Sequence, residues 1–349
     1  VIIELPYSRQ NAAAGKPAST TRDHARLLSI TSCGYLLFIL VTLILLREAG
    51  DRWWPATALL LAPRWPFALP LLFLWPFVLR KRRWLPVTAT ALASLITVGP
   101  IMGLNISPRS LGCGRGQLRL LTCNIHRQHV DVVALGDYIA SIQPDIVALQ
   151  GWSETGHGTL FAPDAIGNWH VRRHGELLVA SRSPIVSMSP IDLPDRESAP
   201  QGQTGAATDF ELSTPYGVIH LINLHLASPH TGLAAITTDG GAKLAANIVR
   251  RTLESQTIRG TADALGGAVI LAGDFNTTGD SPIFRENWPV YSDAFSAAGS
   301  GFGLTYYVRS TQLRIDHILT GTRINTVRCW VGIDVGSPHR PFVADLNCR

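Results

Sequence analysis

The pattern of polar and apolar positions changes character twice along this chain. Residues 1–26 are polar, rich in Ala, Ser and Thr, and carry Arg9, Lys16, Arg22 and Arg26. They show neither a two-residue nor a 3.6-residue repeat, and read as a disordered tail. From Leu27 to Leu46 no residue is charged and most are apolar, enough for a helix to cross about 30 Å of hydrocarbon. The run ends Leu43-Ile44-Leu45-Leu46, without the small residues of a cleavage site, so it predicts an anchor and not a removed signal. A second apolar stretch, Trp53 to Leu79, is broken by Pro63-Arg64 and further prolines. It predicts either one kinked span or an interfacial piece followed by a short span. Trp84 to Leu104 is again uncharged and long enough to cross.

After a linker at 105–116 the period shortens. Leu118–Ile125, Asp145–Gln150, Glu176–Ser181, Thr208–Leu212, Gly217–Leu226, Ala268–Ala272, Arg314–Thr320, Thr326–Gly332 and Phe342–Asn347 read as strands. Val133–Ile142 reads as a helix, and Thr231–Thr257 as mostly helix. Many strands with few helices predict an α/β domain over 117–349: two packed β-sheets with helices outside, a four-layer sandwich behind an all-α anchor of about three helices at 27–104.

Charge refines this division. Residues 1–104 hold 11 Lys+Arg and 4 Asp+Glu, the remainder 19 and 21, so the overall +5 belongs to the anchor. A nucleic-acid binder needs its basic surplus on the domain that meets the phosphate backbone, which makes nucleic acid the weaker partner. Arg80-Lys81-Arg82-Arg83 stands between the second and third apolar stretches and marks a cytoplasmic loop, in agreement with the basic tail. Three spans then place the C-terminal domain outside the cell membrane; two would reverse it. The cysteines, Cys33, Cys113, Cys123, Cys329 and Cys348, lack metal-type spacing and read as buried thiols or as one disulfide among Cys113, Cys329 and Cys348.

The chemistry gathers at strand ends. Leu271-Ala272 runs straight into Gly273-Asp274-Phe275-Asn276, and an acid and an amide two residues apart there point the same way. Arg314-Ile315-Asp316-His317, Asn223-Leu224-His225-Leu226, Ser337-Pro338-His339-Arg340-Pro341 and Asn124 occupy comparable places. Taken in this order, the motifs resemble the endonuclease/exonuclease/phosphatase superfamily over residues 117–349. That resemblance implies a hydrolase of phosphate esters using Mg²⁺ or Mn²⁺. It makes Asn124 part of the metal and phosphate site, gives His225 the stabilisation of the phosphoryl group, and has Asp274 and Asn276 orient the attacking water and bind metal. Asp316 would orient His339, the acid/base residue. Arg182 and His230 are the candidates for substrate contacts, while His126 and His317 read as loop or surface histidines.

Two positions depart from the family pattern. The strand ending at Gln150 is followed by Gly151 where a metal-binding Glu is expected, and Pro338 stands where an Asp is expected before the histidine. Losing carboxylates weakens a Mg²⁺ site, and Glu154 is the nearest acid that can compensate. The layout of spans followed by an external domain is similar to membrane-bound teicoplanin-resistance phosphatases, which implies a phosphorylated lipid or small phosphoester as substrate. An extracellular nuclease, or a degenerate domain that binds phosphoesters without cleaving them, are the alternatives.

Overall fold

The computed structural model describes residues 18–111, 114–126, 130–153, 160–161, 168–194 and 205–349. In its first strand, β1 (Leu118–Asn124), Leu118 and Leu120 face one way and Leu121 and Cys123 the other. β1 runs parallel to β2 (Ile146–Gln150) and antiparallel to β14 (Phe342–Cys348). With β3 (His170–His174), β4 (Leu177–Ser181) and β13 (Ile324–Val331) they form a mixed sheet ordered β13-β14-β1-β2-β4-β3. The second sheet comprises β5 (Ile185–Pro190), β6 (Ala206–Thr214), β7 (Gly217–His225), β8 (Ala268–Asp274), β9 (Ser292–Asp293) and β12 (Asp316–Thr320), ordered β5-β6-β7-β8-β12-β9. A hairpin of β10 (Tyr306–Val308) and β11 (Thr311–Leu313) stands apart.

The inner faces meet through Leu120, Ala148, Val179 and Phe342 of one sheet and Phe210, Leu221, Ile270 and Ile318 of the other. Outside the first sheet lies α5 (Val132–Ile142), through Leu135 and Ile139. Outside the second lies α8 (Ala242–Leu265), through Ile258 and Ala262. This is the expected four-layer α/β sandwich, and each large apolar side chain buried in it contributes about 1.5–3 kcal/mol. The helix expected over Thr231–Thr257 is divided into α6 (His230–Ala234), α7 (Ile236–Asp239) and α8: the first break falls at Ala235, and at the second Gly240 and Gly241 turn the chain at φ 62° and 87°. β3 and β5 escaped the sequence pattern because both are edge strands, with mostly exposed or half-buried residues.

The N-terminal helices are α1 (Ala18–Ile44), α2 (Trp54–Leu60), α3 (Leu69–Lys81) and α4 (Trp84–Ile96). His24–Ala49 and Trp84–Ile101 are each long and apolar enough to cross a membrane. The proline-broken stretch bends by 76° between Trp54–Leu60 and Trp65–Lys81. The helices are tied by Trp75 Nε1 donating to Ser94 Oγ (3.0 Å) and by a Ser32–Thr90 hydroxyl contact (3.3 Å). α2 lies against the β domain: Leu61 packs with Leu313 and Ile315, and Arg64 grips Asp280 at 2.9 Å. The linker is also docked, since Asn105 Nδ2 donates to Phe295 O (2.7 Å) and Ser107 Oγ to Ala297 O (2.9 Å) in the short helix Ala294–Ala298.

Candidate active site at the strand ends

Register within each sheet, and the packing of the two sheets face to face, bring the polar strand ends together. Asn124 pairs with Gln150 across β1 and β2, and His225 with Asp274 across β7 and β8. Asp316 opens β12 opposite Asp274 because those strands are antiparallel, and His339 precedes β14, whose start lies at the end of β1. Gly273 permits this crossing: at φ 142° a Cβ there would come within 1.9 Å of Leu224 O. Phe275, fully buried against Phe284, Trp288 and His317, pins the loop from below, so that Asp274 and Asn276 face the opposite way.

The side chains converge on Asp274 Oδ2. Asn124 Nδ2 donates to it at 2.9 Å, while His225 Nε2 stands 3.5 Å and His339 Nε2 3.7 Å away. Asp274 Oδ1 accepts the Asn276 N–H (2.9 Å), and Asn276 Nδ2 donates to Leu226 O (2.8 Å). His339 is fixed through Nδ1 by Asp316, at 2.9 and 3.1 Å from the two carboxylate oxygens, which leaves Nε2 toward the site. Ser337 Oγ holds this turn by donating to Asn124 O (2.7 Å) and accepting from His339 N (3.1 Å). Tyr306 lies against the His339 ring at 4.9 Å between centroids.

Burial pulls the His225 imidazole toward neutrality, but Glu176, with Nδ1 at 2.8 Å from its Oε1, and Asp274 outweigh that and raise it to about 9. For His339 the same contest, burial against Asp316 and Asp274, also ends in a raised pKa. Burial pushes the Asp274 carboxyl up, His339 draws it back, and the neighbouring Asp316 adds to the rise. The site is therefore a packed set of carboxylates and imidazoles that neutralise one another.

Not every candidate residue arrives there. Arg182 bonds through its N–H to Asp145 O at the start of β2, the end away from Asn124, and its guanidinium stacks on Trp169 at 4.0 Å. The five residues of β2 separate it from the site by roughly 15 Å. His230 is exposed at the first turn of α6. Glu154 lies outside the described residues, as does Cys113; Cys123 and Cys329 are buried free thiols. His317 is not a surface histidine: it is fully buried, with Nε2 3.0 Å from Thr277 O and its ring on Phe284 at 4.3 Å. Sequence reasoning missed Glu176 and Tyr306. Glu176, expected to open a strand, sits in the β3–β4 turn just before β4, and no local pattern marks it as a partner of His225.

The donor set suits a hard cation. Asp274, Asp316 and His339 form a buried group whose ligand atoms lie within 4.8 Å of one another. Gln150 Oε1, at the end of β2 beside Asn124, is buried without a hydrogen-bond partner. The carboxylate oxygens of Asp274 and Asp316 and the amide oxygen of Gln150 are of the kind that Mg²⁺ and Mn²⁺ prefer, while His339 offers a nitrogen. Gly151 holds φ 70°, so a side chain there would be strained as well as absent.

The profile of the Endonuclease/Exonuclease/phosphatase family matches residues 121–339, more than half of the chain and nearly all of the strand-end cluster. The chain belongs to this family. It is thus a hydrolase of phosphate esters, in a family whose enzymes generally use divalent metal ions. Solved structures share its fold at low identity. An endonuclease/exonuclease/phosphatase from Beutenbergia cavernae DSM 12333 is 18% identical, with 67% of this chain and 72% of that one covered and a TM-score of 0.50. Humanized D. rerio TDP2 is 16% identical over 66% and 98% (TM-score 0.51). A family protein from Bacteroides thetaiotaomicron is 13% identical over 67% and 96% (TM-score 0.51). No curated protein matches the chain.

Proposed function

We propose that this family member is a membrane-anchored phosphoesterase that cleaves a phosphate ester or pyrophosphate carried on a lipid. The observation that carries the reading is the position of the anchor. Leu61, at the end of α2, packs in one cluster with Leu313, Ile315 and Tyr306, and Tyr306 lies on the His339 ring. The segment that joins the first apolar helix to the second arm therefore lies next to the site and holds it close to the membrane surface. Their outer faces expose Leu37, Leu72, Phe73, Phe77, Leu92 and Leu95, the apolar belt that a bilayer covers. With the Trp65–Lys81 arm as a third crossing, the tail and Arg80-Lys81-Arg82-Arg83 share the face opposite the catalytic domain, which is then extracytoplasmic.

In this reading Asp274 and Asn276 hold the attacking water, with Asp274 taking its proton as the phosphorus is attacked. His225, charged at neutral pH, faces a phosphoryl oxygen. His339, oriented through Nδ1 by Asp316 and protonated on both nitrogens, donates the Nε2 proton to the leaving oxygen and ends as the neutral tautomer with its proton on Nδ1. Asn124, Asp274 and Asn276 would hold Mg²⁺ or Mn²⁺, which supplies charge neutralisation on the phosphoryl oxygens and a more acidic water. A second reading, a domain that binds phosphoesters without turnover, is favoured by Gly151 and Pro338.

The test is phosphate release by the full chain in detergent with Mg²⁺ or Mn²⁺, on polyprenyl pyrophosphate, a soluble phosphodiester reporter and DNA, beside His339→Ala. Release from the lipid that His339→Ala abolishes is the expected result. Cleavage of DNA alone would overturn the lipid substrate, and inertness on all three would leave the non-catalytic reading.

A further inference from the structure

We infer that the anchor is a working part of the active site, because Asp51 acts through Arg251 to position the catalytic loop at Asn276. Arg251 lies within α8, fully buried, and all three guanidinium nitrogens are engaged. NH2 pairs with Asp51 Oδ1 at 2.7 Å, NH1 donates to Asn276 O at 2.9 Å, and Nε donates to Asn247 Oδ1 at 2.9 Å. Asp51 belongs to the turn between the first anchor helix and α2 and is equally buried. Its second oxygen accepts from Ser281 Oγ, and its N–H donates to Thr57 Oγ1 (2.9 Å), so the carboxylate is fixed from both sides.

The target of this arrangement is a strained residue. Asn276 sits at φ 48°, in the left-handed region, and three bonds keep it there: its N–H to Asp274, its amide to Leu226 O, and its carbonyl to Arg251. A buried guanidinium needs a counter-charge, and a stranded one is expelled or collapses the fold around it. The acid nearest in sequence, Glu254, is committed elsewhere, accepting from Gly205 N and Ala227 N at 2.8 Å each. Among the described residues the carboxylate paired with Arg251 is Asp51, supplied by the anchor. Asp51 and Arg251 touch no reacting atom; they are positioning residues, and the β domain carries an uncompensated cation behind its catalytic loop until the anchor docks. The anchor thus does more than tether the domain to a surface.

The experiment uses the full chain in detergent. Asp51→Asn leaves the cation without its partner charge, and the double variant Asp51→Asn/Arg251→Met removes both charges, so that neither is stranded while the grip on Asn276 is still lost. Deuterium exchange is followed in the peptide over 270–281, with β1 and β14 as internal references, and kcat and KM are measured on a soluble phosphodiester reporter. Both variants are expected to exchange at least tenfold faster in the loop, with β1 and β14 unchanged. In both, kcat is expected to fall at least tenfold with KM within threefold, even where the double variant recovers the thermal midpoint of the parent. A double variant that recovers kcat along with stability would show a merely structural pair and overturn the inference, as would unchanged loop exchange in both variants. Should the parent be inert on the reporter, kcat is measured on polyprenyl pyrophosphate instead; inertness there too would overturn the proposed activity, while the exchange result alone would still decide the coupling.

Discussion

Replacing Phe275 by Ala removes a completely buried ring from beneath the catalytic loop. The ring meets Trp288 edge-on at 5.6 Å, Phe284 at 6.0 Å and His317 at 5.3 Å, and belongs to the core between the second sheet and α8. Loss of the transferred surface, together with a cavity that these rigid neighbours cannot fill, costs about 3–5 kcal/mol. Phe275→Leu keeps most of the volume and loses the edge-to-face pairs, for a cost of about 1–1.5 kcal/mol. Urea unfolding followed by tryptophan fluorescence measures both directly, since Trp288 adjoins the site of substitution. Because Phe275 stands between Asp274 and Asn276, the Ala variant should also lose more than tenfold in kcat at temperatures where it remains folded. An Ala variant within about 1 kcal/mol of the parent, or no separation between Ala and Leu, would refute the claim that this ring sets the loop.

Asp316→Asn should lower kcat by about 10²–10⁴ with little change in KM, because the amide no longer enforces the proton on His339 Nδ1; steady-state kinetics on any accepted substrate check this. Since Asp316 is the largest of the effects that raise His339 against its burial, the same variant should move the His339 limb of the pH–rate profile to lower pH. In metal-free protein, stability should be full below about pH 6.5 and decline as pH rises toward 9, because His225 has a folded-state pKa of about 9 against an ordinary 6.5; denaturation in chelator checks the sign, and Glu176→Gln should flatten the decline. Burial raises the Cys123 and Cys329 thiols well above their usual range, so alkylation at pH 8 should reach them only after unfolding, as mass spectrometry can follow.

Period and composition were enough for much of this protein. An uncharged run of twenty residues has few uses in water, and a strand buried on one or both faces announces itself by its apolar period; the long apolar N-terminal helices and the central strands were therefore legible. Asn124, His225, Asp274, Asn276, Asp316 and His339 were singled out by the resemblance that their strand-end motifs carry, and the strand pairing with the packing of the two sheets brings those ends to one edge. Contacts between residues far apart in the chain leave no local trace. Glu176 reads only as the first residue of a strand until the turn before β4 places it against His225, and His317 as a loop or surface residue until Phe284 covers it. Arg182 reads as a neighbour of the site until the direction of β4 carries it to the far end of the sheet. Arg251 and Asp51 are two hundred positions apart, and only the docking of the N-terminal helical region onto α8 makes them a pair. Periodicity reports which face of an element is dry; which charge meets which is decided by how the elements pack.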